Sequence, residues 1–268
     1  MPELAEVAFA CSVWAKGVGE KTDEVLVHPT SRVYRDLNRA KFIKALSEVV
    51  LEDARCHGKQ MLFGFSNSRW LGLHLGMTGS LSVKSTDYQP AKFDALVLRQ
   101  SMRCLVFSDP RQFGRLRLHL ENDLPRWWTQ LPLSMLDPKF DLQILVDALR
   151  KHAKRPIKAL LLDQRYFQGM GNWMADEVLW RARIHPAHPC GLLKSRKRSK
   201  LFEKILFVAY EAMRTIGRHG KDPPSGWLFH VRWQDGGLCP ETGKPLRRET
   251  IGGRTSCWSP TLQRKPRL

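Results

Sequence analysis

The sequence predicts an α+β chain of two domains, and three observations carry that reading. Strand-like stretches dominate from about residue 24 to residue 120. Helical apolar periodicity replaces them after about residue 130. A glycine pair, Gly252-Gly253, then marks a β-hairpin near the C-terminus. The chain opens with Glu3 and Glu6 ahead of the apolar stretch 7–13, an acid-first order that suits a helix N-terminus. Segments 24–28, 61–65, 93–98 and 103–107 read as strands. One helix, 39–50, interrupts them, with Phe42, Ile43, Leu46 and Val50 at helical spacing. Four further helices follow. The first spans 141–152 and carries Leu142, Ile144, Leu145 and Leu149. The second runs to Leu162 with Pro156 in its first turn, where the missing N–H costs nothing. The third spans 172–183, and the fourth, 199–216, aligns Phe202, Ile205, Leu206, Ala209, Met213 and Ile216 on one face. The division expected is a β-rich domain over 1–128, a helical domain over 135–222 and a hairpin tail over 227–264.

Composition bounds the class of partner. A length of 268 residues suits one large or two smaller domains, and 43% hydrophobic residues suffice for a core. Forty-four Lys and Arg against 26 acids give a net charge of +18, which favours a polyanion. Nucleic acid, an anionic membrane surface and a ribosome-associated role all fit that charge. The six cysteines, at 11, 56, 104, 190, 239 and 257, form no C-x-x-C pair, and no secretory apolar stretch opens the chain. A reduced, intracellular protein is expected: bacterial cytoplasm or nucleoid, or a eukaryotic nucleus or organelle. No apolar run approaches the length of a membrane span; 205–210 is typical.

The N-terminus reads Met1-Pro2-Glu3-Leu4-Ala5-Glu6-Val7. A small second residue permits removal of the initiator Met, which exposes a secondary amine. An α-amine has a pKa of ~8 against ~10.4 for lysine, so much of it is unprotonated near neutrality. Such an amine can attack a sugar C1′ and form a Schiff base, with Glu3 moving protons. Taken alone, the same residues read as a proline in the first turn of a helix with an acid favouring its dipole. Without wider context that second reading prevails, because short motifs match by chance.

The context lies in the rest of the chain. Five further stretches occur in order: His57-Gly58-Lys59; His74-Leu75-Gly76-Met77-Thr78-Gly79; Ser108-Asp109-Pro110-Arg111-Gln112-Phe113-Gly114; 169–186; and Gly252-Gly253-Arg254-Thr255. Together with the opening they resemble the formamidopyrimidine-DNA glycosylase / endonuclease VIII family over essentially the whole chain. The resemblance implies an N-terminal β-sandwich with flanking helices, a helix–two-turns–helix (H2TH) DNA-binding domain and a terminal finger. It implies a bifunctional DNA glycosylase and AP lyase of base excision repair. Double-stranded DNA with oxidised bases or abasic sites is the expected partner, engaged by a monomer in a basic cleft between the domains, with no membrane involved.

Residue by residue, the resemblance makes Pro2 the nucleophile, with Glu3 and Glu6 assisting. Lys59, expected on a strand after a glycine, and Arg254 become phosphate holders flanking the lesion. Met77, Arg111 and Phe113 resemble the trio that fills the gap left by an extruded base. For Met77, core packing and gap filling both stay open; Phe113, in a turn flanked by Pro and Gly, is a less natural core residue. Gly169-Met170-Gly171-Asn172 precedes a helix, a setting whose free N–H groups bind phosphate. Lys158 is expected on the same DNA-facing edge. The basic run 194–200 reads as a solvated face or a track for the DNA backbone.

Three departures from the family pattern carry information. Much of the family ends in a four-cysteine zinc finger. Registered on Arg254, the four ligand positions hold Cys239, Thr242, Ser259 and Leu262, with Cys257 out of register. Tetrahedral zinc needs four N, S or O donors, so no metal and no cofactor are expected. The tail resembles the zincless-finger branch of plant and some other members. The stretch 217–227 is short where 8-oxoguanine-specific members carry a longer capping loop. That favours ring-saturated pyrimidines, formamidopyrimidines and hydantoins. Ala5 and Ala8 replace residues common in the family opening, while Glu3 and Glu6 remain. Two other readings stay in view. One is a catalytically inactive protein of the same fold that binds damaged or branched DNA. The other is a basic RNA-binding protein, for which no aromatic-rich RNA-binding strand signature is present, although nine tryptophans leave stacking open.

Overall fold

The computed structural model describes residues 1–265, which fall into two compact units. The first comprises Met1–Pro2 and Glu6–Leu131; the second comprises Glu3–Ala5 and the chain from Pro132 onward.

In the first unit, the part of α1 (Leu4–Trp14) from Glu6 onward places Val7, Ala10, Cys11 and Trp14 on one buried stripe, the spacing a helix face requires. Eight antiparallel strands follow: β1 (Lys21–Val27), β2 (Val49–His57), β3 (Gln60–Phe65), β4 (Arg69–His74), β5 (Ser80–Lys84), β6 (Asp94–Gln100), β7 (Cys104–Ser108) and β8 (Arg115–His119). Their order is β5-β7-β6-β1-β2-β3-β4-β8. The β1–β2 junction consists of two pairs, Lys21↔Val50 and Thr22↔Val49, so the sheet is two four-strand halves joined at one seam. Leu96, Leu98 and Phe107 from one half enter the same apolar core as Phe63, Leu71 and Leu73 from the other, as a sandwich demands. The helix expected over 39–50 is shorter: α2 (Arg39–Leu46) stops because Glu48 takes a left-handed backbone, φ 59°, and Val49 opens β2. Lys59 is not on a strand. It forms with Gly58 the two-residue turn between His57 and its partner Gln60, with Gly58 at φ 58°. A short α3 (Arg126–Thr129) closes this unit.

The second unit is helical. Asp141 caps α4 (Leu142–Lys151) by accepting from Ile144 N at 2.9 Å. Pro156 lies just outside α5 (Ile157–Leu161) as its cap residue rather than within its first turn. Next come α6 (Asn172–Ala182), buried along nearly its whole length, and α7 (Ser195–Ala212). The expected start of α7 at 199 is four residues late. The basic stretch after Lys194 is made of good helix formers and supplies the exposed first turn. After Ala212 the helix widens into a π-turn, Met213–Gly217. Leu201, Ile205, Val208, Ala209 and Ala212 pack with α4, α5 and α6 into one core.

The tail is mostly irregular around one hairpin, β9 (Arg247–Ile251) and β10 (Arg254–Trp258). Gly252 and Gly253, at φ 60° and 78°, form its tip, a turn with two left-handed residues that matches strand twist. Beneath it lies a separate small core of Trp180, Leu228, Cys239, Leu246 and Cys257, with Leu262 against it. No described helix is long and apolar enough to cross a membrane.

Candidate functional site

In the first unit the two loops carrying Met77, Arg111 and Phe113 are built against each other. Gly76, at φ 66°, lies so close to the other loop that an added Cβ would sit 2.4 Å from Phe113 C and 2.6 Å from Gly114 N. Asp109, buried, locks them: it accepts from Gly114 N at 2.6 Å and from Thr78 Oγ1 at 3.1 Å. Arg35 Nη1 donates to Gly114 O at 2.9 Å, and Gln112 Oε1 accepts from Arg32 N at 3.0 Å. On this rigid base Phe113 is 53% exposed, and the Arg111 guanidinium lies 5.1 Å over its ring. Met77 sits half-buried in the neighbouring turn. An exposed aromatic stacked on an arginine suits insertion between bases and serves no core.

Lys59 is 9% exposed in its turn. Its charge reaches His74, whose pKa falls to about 4 because of burial first and the nearby Lys59, Arg117 and Arg35 cations second. Gly76 N donates to His74 Nδ1 at 3.0 Å, which leaves Nε2 as the protonated nitrogen of a neutral ring. In the sequence His74 and Asp109 stand only as members of motifs; neither carries a signal of its own until the loops are folded. Pro2 lies ahead of α1, outside the helix, and Glu6 is half-buried in its first turn.

In the second unit the site is organised by Glu3. The bland reading of Glu3 as an acid serving its own helix is overturned. α1 begins at Leu4, whose N–H donates to Gly169 O at 3.0 Å. The Glu3 carboxylate, 2% exposed, turns instead to the N-terminus of α6. There it accepts from Trp173 N at 2.9 Å and from Met174 N at 3.2 Å. A carboxylate is the form that backbone donors and a helix N-terminus favour. Gly171 makes room for it: an added Cβ would lie 2.1 Å from Glu3 Cδ. At the expected phosphate cradle, the helix N–H groups of Trp173 and Met174 are thus taken up by the protein's own carboxylate, while Gly169 N donates to Gln164 Oε1 at 3.1 Å and Met170 N to Phe167 O at 3.1 Å.

Lys158 is corrected too. It is fully buried, donates to Asn172 O at 2.8 Å and pairs with Asp176, so it is not on a DNA-facing edge. Burial pulls its ammonium below the usual lysine range, and Asp176 opposes that. Asn172 is half-buried and donates through Nδ2 to Thr255 O at 2.9 Å, tying α6 to the hairpin. Arg254, at the hairpin tip, is exposed. The structure therefore brings Glu3, Asn172 and the Arg254 hairpin onto one helix end.

What occupies the four ligand positions of the finger does not suit a metal. Cys239 and Leu262 belong to the small apolar core, and Ser259 N donates to Gln263 Oε1 at 2.8 Å. Of the four ligand positions only Cys239 is a thiol and Leu262 offers no donor atom, so they do not make a zinc donor set. Among the described residues no three of His, Cys, Asp and Glu gather where an ion fits.

Comparison with known proteins adds to this geometry. Residues 1–116 match the model of the formamidopyrimidine-DNA glycosylase N-terminal domain, and residues 131–221 that of the formamidopyrimidine-DNA glycosylase H2TH domain. Formamidopyrimidine-DNA glycosylases of a Roseiflexus species and of Thermus thermophilus are each 33% identical. They align over 98% of this chain and over 100% and 98% of their own. That of Arabidopsis thaliana is 29% identical over 98% of this chain and 71% of its own. The Lactococcus lactis Fpg in complex with DNA containing N7-benzyl-Fapy-dG superimposes with a TM-score of 0.86 at 25% identity, over 98% of this chain and all of that one.

Proposed function

The chain belongs to the formamidopyrimidine-DNA glycosylase family, and on that premise we propose that it is a bifunctional DNA glycosylase and AP lyase acting on oxidised bases in double-stranded DNA. The observation that carries the proposal is the Glu3 carboxylate, buried on two backbone donors of α6 and covalently next to Pro2. Once Met1 is removed, the Pro2 amine attacks C1′ of the damaged nucleoside. The C1′–N bond breaks, the base leaves with a proton, and the amine and C1′ form a Schiff base. Glu3, with Glu6, moves protons on the opening sugar. The imine then acts as electron sink for β-elimination and afterwards δ-elimination, so this chemistry draws on no cofactor. Lys59 and Arg254 hold the phosphates beside the target, with Asn172 near them. Met77, Arg111 and Phe113 fill the gap in the stack, and the net charge of +18 supports a DNA partner. An intracellular location follows from that partner. The short stretch 217–227 favours hydantoins, formamidopyrimidines and ring-saturated pyrimidines over 8-oxoguanine.

Borohydride trapping tests the reading. Protein with Pro2 verified as its N-terminus is mixed with duplexes carrying an abasic site, a hydantoin or 8-oxoguanine. A covalent adduct lost on blocking or replacing Pro2 is expected, with hydantoin ahead of 8-oxoguanine. Tight binding without adduct on any substrate would instead favour a non-catalytic binder of damaged DNA.

A further inference from the structure

Asp176 lies in the second turn of α6, 1% exposed, and gathers bonds from three other segments. Its Oδ1 accepts from Lys158 Nζ of α5. Its Oδ2 accepts from Arg232 Nε at 3.2 Å, from Arg232 Nη2, and from the backbone N–H of Cys257 at 3.1 Å. Lys158 and Arg232 are themselves buried. Two cations and one carboxylate would leave an uncompensated buried charge. The Glu3 carboxylate, on the first N–H groups of the same helix α6, adds a smaller favourable field at Lys158.

The Cys257 bond distinguishes this cluster from an ordinary buried ion pair. Cys257 is on β10, three residues after Arg254. A lone two-stranded hairpin is marginally stable in water, and this one has no metal donor set beneath it. Two further contacts seat its tip. Asn172 Nδ2 bonds Thr255 O, and Gly252 presses on α5 so closely that an added Cβ would lie 2.6 Å from Ala159 Cβ. Asn172 O is also held by Lys158. The same charge cluster therefore grips both the strand and the helix residue that steadies its tip. From Cys257 to Arg254 the strand extends about 10 Å, so a small tilt at the anchor moves the guanidinium by a sizeable fraction of an ångström or more. Charge-assisted contacts to phosphate are sensitive to such shifts.

We propose that Asp176 is a positioning residue for Arg254, anchoring the finger hairpin through a buried charge cluster where a metal would otherwise serve. The proposal rests on the reading of Arg254 as a phosphate holder. The test is binding of the full chain to a duplex containing a tetrahydrofuran abasic analogue, measured across a KCl series. Arg254→Ala is expected to lower the magnitude of the salt slope by about 1, the signature of one lost phosphate contact. Asp176→Asn is expected to lower it by the same amount although no surface cation is removed. The double variant is expected to bind no more weakly than Arg254→Ala alone. Asp176→Glu keeps the charge, and so the fold, but displaces the carboxylate by a methylene; it is expected to lower the slope as well and decides the matter if Asp176→Asn melts. A wild-type slope in the Asp176 variants, or losses that multiply in the double variant, overturns the proposal while leaving the role of Arg254 intact. A wild-type slope in Arg254→Ala overturns the phosphate reading and the proposal with it.

Discussion

Replacing Gly171 by Ala probes the central feature of the second unit without touching a reacting group. Gly171 has φ −128° and ψ −163°, extended backbone that alanine adopts freely, so the change carries no conformational strain. The cost is steric. The new Cβ would lie 2.1 Å from Glu3 Cδ and 2.3 Å from its Oε1, whereas carbon atoms settle about 3.5–4.0 Å apart. The carboxyl must retreat by roughly 1.4 Å or more, which takes the 2.9 and 3.2 Å bonds to Trp173 N and Met174 N beyond hydrogen-bond range. Bonds to a charged group contribute about 1.5–3 kcal/mol each. Allowing for relaxation, a stability loss of about 2–4 kcal/mol is expected. If Glu3 moves protons in the reaction, cleavage falls by about 10²–10⁴-fold. The assay is single-turnover cleavage of an abasic duplex, with calorimetric melting alongside. Glu3→Gln should match Gly171→Ala in rate, and the double variant should be no slower than Glu3→Gln, since both act on one carboxylate. A Gly171→Ala protein with wild-type melting and wild-type cleavage would refute the argument.

Three further outcomes follow from the geometry. Lys158→Met should cost about 3–5 kcal/mol, because it breaks a buried pair; unchanged melting with a lowered salt slope of DNA binding would instead return Lys158 to the DNA face. Phe113→Ala should change stability by less than about 0.5 kcal/mol, given its exposure. It should slow excision of a stacked lesion by about 10-fold or more and spare cleavage at a preformed abasic site; equal loss on both substrates would argue against gap filling. His74, held neutral down to about pH 4, binds its proton more readily in the unfolded chain. Its contribution is therefore complete above about pH 6.5 and is lost as pH falls from there toward 4. His119, His185 and His188 are shifted the same way by burial. Melting temperature should fall on acidification through this window, and His74→Gln should flatten part of the slope; an unchanged slope in that variant contradicts the shift.

Local sequence determined the elements and the fold class. The apolar stretch that follows Glu3 and Glu6, the helical spacing of Leu142, Leu145 and Leu149 and the glycine pair of the hairpin are each legible because their causes lie within a few residues. The end of α2 has an equally local but conformationally rare cause, Glu48 in a left-handed backbone, and the basic first turn of α7 lacks the apolar periodicity that marks a helix. The motifs likewise single out Pro2, Phe113 and Arg254 as candidates. Which group meets which was decided by tertiary structure alone. A glycine pair before a helix reads as an anion cradle, and so it is, but the anion is Glu3, some 170 residues away in sequence. A lysine near a DNA-binding motif reads as a phosphate contact, yet Lys158 is turned inward to Asp176. The physical reason is common to both: periodicity and propensity are short-range, whereas the pairing of a buried charge is set by whichever distant segment satisfies it when the core closes.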